Sequence, residues 1–344
     1  MRICANCFSD EEVKSYISFC ASEEGICDYC GKRSKLLDIS ELYDFFSGFI
    51  EVFEPSCNGG SLIDTIQKDW HLFSSNQVGK KILWGVLNSV HSAINSPTEK
   101  VSYLKSILDC VAVWDEFKTE LKFSKRFMTD TDKLFENEWD SLLNKPNFFS
   151  SNAVFYRARI NTGGSGVPYR CKDMLCPKPF DTKGGRANPL GIPYLYLSDS
   201  LKTTLYEIKP NYLDIVSIGK ICLKKKYNNI NFKDFTALES PFLQENMEKV
   251  ARSRLLNMAI SHDLSKPIHS FDTELEYIPT QFVCEFLKFS TDVDGIIFQS
   301  SLYSKGKNFV CFTPSKFKCT QVSCYEINKH ELDASILFNN SCRD

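Results

Sequence analysis

Two cysteine pairs near the start of the chain, Cys4-x-x-Cys7 and Cys27-x-x-Cys30, stand with 19 residues between them. Two such knuckles suit a single tetrahedral zinc ion, because each tight turn supplies two thiolates to the same point. Gly31 after the second pair fits a knuckle turn; Cys20 could substitute as a ligand, but it shares helical spacing with Val13 and Ile17 and is expected in the core. The segment 1–36 must therefore fold around a centre. Four cysteines leave no coordination position open for water, so the zinc is structural and not catalytic. A pair of redox CxxC motifs is the competing explanation. The chain carries 15 cysteines in 344 residues, whereas disulfide scaffolds are small and cysteine-dense. Reduced thiols with one zinc site describe it better.

From 37 to 146 the apolar residues repeat at helical spacing. Leu42, Phe45, Phe46, Phe49, Ile50 and Phe53 form a wide stripe that ends at Pro55 and Gly59-Gly60. Ile82, Leu83, Val86, Leu87, Val90 and Ile94 form a second. After Ser96-Pro97-Thr98-Glu99, a helix start, Val101, Leu104, Leu108, Val111 and Phe117 form a third. Leu134, Phe135, Trp139, Leu142 and Leu143 form a fourth, stopped before Pro146. Four helices with short connections predict a bundle.

Asn144 to Asn152 is turn-rich and reads as a linker. Beyond it, Val154 to Ile160 alternates like a strand, with Phe155, Arg157 and Arg159 on one face and Val154, Tyr156 and Ile160 on the other. Residues 161–185 read as loop and 215–223 as a strand. Residues 241–261 read as a helix, Pro279-Thr280-Gln281 as a turn, and 296–298 and 308–312 as strands. Short strands among helices, without βαβ repetition, predict an α+β fold with a mixed β core.

The stretch Gly184 to Pro210 is the candidate site. A Gly-Gly-Arg turn (Gly184, Gly185, Arg186) brings backbone close to a ligand and offers a guanidinium fork to phosphate. The apolar run IPYLYL (192–197) follows as a strand. Ser198 or Asp199 then caps a helix on which Leu201, Leu205 and Ile208 face one way. Glu207 stands near the end of that helix, where the dipole does not stabilise a carboxylate, so it needs a partner or a task.

These segments resemble the RES domain, a family named for its Arg, Glu and Ser. The resemblance rests on FYRAR at 155–159, GGRANPLGIPYLYL at 184–197, TTLYEIKP at 203–210, YIPTQFVCEFL at 277–287, DGIIFQSS at 294–301 and NFVCFTP at 308–314, in the family's order. It covers residues 150–325 and leaves 326–344 as a tail. It implies an ADP-ribosyltransferase-like fold and consumption of NAD+. The namesake residues fall on Arg157 or Arg186, on Glu207 and on Ser300. Phe298 stands where the family often has Tyr. A zinc knuckle and helical bundle ahead of a RES domain resemble the HEPN-like domain of some RES proteins. The HEPN nuclease motif Arg-x(4–6)-His is absent, since none of Arg2, Arg33 and Arg126 has a histidine at that spacing.

The residues themselves suit NAD+. Arg157 and Arg186 can grip a pyrophosphate bidentately. Tyr194 or Tyr196 can stack on a flat cationic ring. Glu207 can hold the ribose 2′-OH and stabilise charge at the anomeric carbon, and Ser300 can hydrogen-bond ribose or the leaving amide. Nicotinamide departs neutral, so catalysis needs no general acid and rests on positioning and electrostatics. The expected activity is NAD+ hydrolysis, with ADP-ribosyl transfer to a protein or nucleic acid as the alternative. A zinc-dependent nucleic-acid-binding module with an inactive RES domain is the alternative of another class. A net charge of −2 gives no general pull toward nucleic acid or anionic membrane. No apolar run approaches the roughly 18 residues of a membrane helix, and the first residues do not open a signal peptide. A cytoplasmic location follows as an expectation, with an antitoxin or regulatory protein, or a second copy of the chain, as partners the sequence leaves open.

Overall fold

The computed structural model describes residues 1–129, 147–150, 152–237, 239–242, 244–266 and 274–329. The expected helix over 134–143 lies outside them. Two compact units divide the chain: Met1–Asn144 with Thr236–His262, and Lys145–Phe235 with Asp263–Asp344.

In the first unit, β1 (Arg2–Ile3), β2 (Glu23–Ile26) and β3 (Arg33–Asp38) form an antiparallel sheet in the order β1-β3-β2. Helix α1 (Glu11–Cys20) starts at Asp10, whose carboxylate accepts the backbone N–H groups of Glu12 and Val13. It buries Val13 and Ile17, but Cys20, at its last position, is exposed and not in the expected core. The apolar stripe from Leu42 is cut short. Helix α2 spans Tyr43–Ile50, and the chain then turns into β4 (Phe53–Ser61), so Pro55, Gly59 and Gly60 lie within a strand. Its partner is β5 (Lys100–Tyr103). A Cβ on Gly59 would stand 1.7 Å from the carbonyl oxygen of Val101, so this approach requires glycine. Val101 therefore belongs to a strand and not to the expected third helix. Val101 and Tyr103 are buried while Ser102 between them is less so, the period of a strand. Helices α3 (Leu62–Trp70), α4 (Asn76–Leu87) and α5 (Lys105–Phe123) complete this part. The β4–β5 sheet lies among the helices of 37–146 and departs from the expected all-helical bundle.

The helix expected at 241–261 runs over Met247–Ser265. Phe242 and Ala251 join the core built on Phe46, Phe49, Trp70 and Phe73. Buried Arg254 donates to the backbone oxygen of Asp69 at 2.9 Å, and Asp69 accepts the Tyr103 hydroxyl at 3.0 Å. These contacts explain why Thr236–His262 belongs with the first unit, although chain order places it inside the second.

The second unit is built on a mixed sheet of order β13-β9-β7-β8-β12-β11-β10-β6. Its strands are β6 (Asn147–Ser150), β7 (Val154–Ile160), β8 (Leu195–Ser198), β9 (Ile215–Leu223), β10 (Asn229–Asp234), β11 (Gly295–Gln299), β12 (Lys307–Cys311) and β13 (Phe317–Glu326). Neighbours are antiparallel except β10 and β11, which are parallel. Strand β6 occupies part of the expected linker, because Phe149 packs edge-on against Phe232 and Phe309. One face of the sheet buries Phe155, Leu195, Leu197, Phe232, Phe309 and Phe317. On the other, Ala158, Val216 and Ile218 meet Leu201, Leu205 and Ile208 of helix α6 (Leu201–Ile208). The cap of α6 is Ser200, which accepts the N–H of Thr203. Ser198 and Asp199, the expected caps, are a strand residue and a brace: Asp199 accepts the Thr203 hydroxyl and the Lys307 N–H. With Met247–Ser265 as α7, helix α8 spans Ile278–Ser290 and takes in the expected Pro279 turn, since proline fits a helix's first turn. No described helix is long and apolar enough to cross a membrane.

Candidate active site

Strands β7 and β8 are paired at a single position, Tyr156 opposite Ser198, so they splay apart. A cavity of about 440 Å³ lies beside that split, with Arg157 and Ala158 of β7 and Tyr196 and Ser198 of β8 in its lining. Thr204, Glu207 and Ile208 of α6 form a wall, Asn308 of β12 adds a polar side chain, and the turn Lys183–Arg186 closes the rim.

Glu207 is exposed to the cavity and held from behind. Its Oε1 accepts the Ser300 hydroxyl at 2.6 Å and the Asn308 amide at 2.7 Å. The donors supply what the C-terminal end of a helix cannot. No further hydrogen bond reaches this carboxylate among the described residues, and its other oxygen remains available.

Arg157 is the least satisfied group nearby. Its Nη1 is buried and has no hydrogen-bond partner among the described residues. Burial disfavours its charge and lowers its pKa, yet a guanidinium stays protonated in proteins. A buried cationic donor without a partner is costly, and an anion in the cavity would satisfy it. Burial likewise lowers the pKa of Arg186, against the opposing pull of Tyr277 and Glu207. Arg186 Nη1 donates to the Leu264 carbonyl at 2.9 Å, which fixes its stem and leaves other donors of the fork.

The Gly-Gly-Arg turn is clamped from two sides. Gln281 of α8 donates to the carbonyls of Gly185 and Asn188, and the Thr280 hydroxyl donates to that of Arg186. Tyr196 donates to Asn188 Oδ1 at 2.7 Å and accepts the Ala187 N–H at 3.1 Å. Its hydroxyl is spent on the turn, and burial raises its pKa and keeps the proton on it. A Cβ on Gly185 would stand 2.8 Å from Asn188 Oδ1 and 2.9 Å from the Tyr196 hydroxyl. Gly185→Ala therefore displaces the turn and costs about 1–3 kcal/mol, read as a melting temperature lower by several degrees.

The structure brings Arg157, Arg186, Tyr196 and Glu207 to one cavity and treats two other candidates differently. Ser300, 2 % exposed, does not line the cavity; it reaches the site through Glu207. Tyr194 lies outside, packed on Phe312 at 4.9 Å beneath Lys288; it precedes the strand, which begins at Leu195, and so escapes the alternation that would align it with Tyr196. Asn308 and Lys183 were not singled out in the sequence. The signal for Asn308 was only a polar residue leading the apolar run NFVCF; its place beside Ser198 comes from the β8–β12 register.

A second depression of about 550 Å³ is lined by Arg159, Tyr169, Arg170 and Asp173. Its cations are already matched: Arg159 donates to the Asp173 carbonyl and stacks on Tyr169, and Arg170 pairs with the Asp173 carboxylate. Unmet charge singles out the smaller cavity.

In the first unit the sulfurs of Cys4, Cys7, Cys27 and Cys30 all lie within 4.8 Å of one another. Three separations are 4.0 Å (Cys4–Cys7), 3.5 Å (Cys4–Cys30) and 3.4 Å (Cys7–Cys27). A tetrahedron with Zn–S bonds of about 2.3 Å has sulfurs about 3.8 Å apart, so the four fit one zinc ion. Burial and the neighbouring Cys30 push the Cys4 thiol up to about 11; a divalent ion at the centre reverses that preference and holds thiolates.

The second unit thus carries, on a mixed sheet, a cavity lined by two arginines and a glutamate braced by Ser300 and Asn308. The RES domain model matches residues 155–333, just over half of the chain, and the chain belongs to the RES domain family. No curated protein and no solved structure matches it.

Proposed function

We propose that the second unit cleaves the nicotinamide–ribose bond of NAD+ with water as acceptor. The observation that carries this reading is the buried Arg157 Nη1, without a hydrogen-bond partner among the described residues, beside a cavity that also holds Arg186 and Glu207. Its lining carries the charged groups Arg157, Lys183, Arg186 and Glu207, an excess of two positive charges. A pyrophosphate diester brings two negative ones. Family membership supports the same substrate.

In this reading Arg157 and Arg186 hold the pyrophosphate. The free oxygen of Glu207 accepts the ribose 2′-OH and faces the anomeric carbon as positive charge develops there. The C–N bond breaks with its electron pair going to the ring nitrogen, which releases neutral nicotinamide. Water adds to the anomeric carbon and loses a proton to solvent, giving ADP-ribose. Ser300 orients the carboxylate.

The second unit and the first each have a finer fold assignment in this reading: an ADP-ribosyltransferase-like arrangement for the second, and a HEPN-like fold without the nuclease motif for the first. Zinc on Cys4, Cys7, Cys27 and Cys30 is structural, and the functional boundaries are 1–36, 37–146 and 150–325. The cysteine spacing and sulfur geometry support the zinc.

Purified protein incubated with NAD+ tests the reaction by chromatography of released nicotinamide. No release under varied salt and pH overturns it. A mass increase on an incubated protein or nucleic acid would instead identify transfer. Arg157→Ala removes a charge-assisted contact and raises KM about tenfold to a hundredfold. Arg157→Lys recovers little, because an ammonium lacks the planar fork.

A further inference from the structure

We infer that Asn308 is a positioning residue for Glu207, turning the carboxylate so that its free oxygen faces the bound ribose. The inference rests on the reaction proposed above.

Asn308 is 7 % exposed and stands directly opposite Ser198 in the β8–β12 pair. The Ser198 hydroxyl donates to Asn308 Oδ1 at 3.2 Å, which fixes the amide with Nδ2 toward Glu207. Ser300 meets the same carboxylate oxygen from the other side. Its own oxygen accepts the N–H groups of Leu302 and Tyr303, so its proton is committed to Glu207. Two donors of different origin, one on a strand and one on the loop after β11, thus converge on Oε1. A carboxylate pinned at one oxygen cannot rotate, and the second oxygen keeps one direction. Neither donor needs to touch the substrate. Precise aim of a charged group is worth more than its mere presence.

Alanine and aspartate substitutions separate this role from simple packing. Asn308→Asp keeps the volume, removes the donor and sets a like charge against Glu207. Asn308→Ala removes donor and volume together. If Asn308 only fills space, the isosteric aspartate is the milder change. If it orients Glu207, aspartate is the harsher. We expect kcat for nicotinamide release to fall about tenfold in Asn308→Ala and about a hundredfold in Asn308→Asp, with KM within about twofold of wild type. Ser198→Ala, which leaves Asn308 in place but frees its amide to flip, lowers kcat about threefold. Melting curves and ADP-ribose titrations accompany each variant; if either Asn308 variant fails to fold, the Ser198 variant decides. An aspartate variant as fast as wild type, an alanine variant slower than the aspartate one, or an unchanged Ser198→Ala rate overturns the inference and leaves the reaction standing. A wild-type chain that leaves NAD+ intact overturns the reaction itself, and this role with it.

Discussion

Glu207→Gln should slow nicotinamide release by about a hundredfold to a thousandfold without disturbing the fold. Glutamine matches the shape of the side chain, and its carbonyl oxygen can still accept the Ser300 hydroxyl and the Asn308 amide. What disappears is the negative charge at the wall of a cavity whose other charged lining groups are cationic. Positive charge developing at the anomeric carbon then meets Arg157, Arg186 and Lys183 without compensation. Ground-state NAD+ needs the carboxylate far less, so the loss appears in kcat more than in KM. Equal kcat in the variant and the wild type would falsify the role of Glu207 even if the protein consumes NAD+.

The second large effect belongs to the cysteine centre. Cys4, Cys7 and Cys27 are part of the same buried cluster as Ile3, Phe8 and Ile39, so the ion would sit inside a core and not on a surface flap. Structural zinc contributes on the order of 10 kcal/mol to small domains, because ligand binding and folding are one event. Removing it with a strong chelator, or substituting Cys7→Ser, should lower the melting transition of the first unit by ten degrees or more, to judge from the scale of that coupling. Metal analysis should give one zinc per chain in the wild type. A chelated protein that melts like the untreated one would remove the metal from the account.

How much of this could be read from the amino acids depends on the kind of signal. Cys4, Cys7, Cys27 and Cys30 were legible because ligand spacing is local and their convergence needs no knowledge of the fold. Arg157, Arg186 and Glu207 were legible as an ordered set, and the helix stripe Leu201, Leu205, Ile208 predicted which side of α6 is buried. Choosing between Tyr194 and Tyr196 was different. Alternation puts both tyrosines on one face, opposite Leu195 and Leu197, and so does not choose between them. The strand and its pairing with β12 begin at Leu195, which leaves Tyr194 before the strand, and pairing is long-range. Asn308 was hidden for the same reason, since its meaning lies in strand register with Ser198. Strand β4 was misread as the end of a helix because Phe53 continues the helical stripe, while its partner β5 lies far along the chain.

The assignment of Thr236–His262 to the first unit, between stretches of the second, has a genetic consequence. No single breakpoint in the coding sequence yields both folds whole. A crossover near residue 145 would strand Phe242 and Ala251 away from the aromatic residues they are buried with. Exchange of either unit between relatives therefore requires three coordinated junctions, after residues 144, 235 and 262, so the two are constrained to be inherited together.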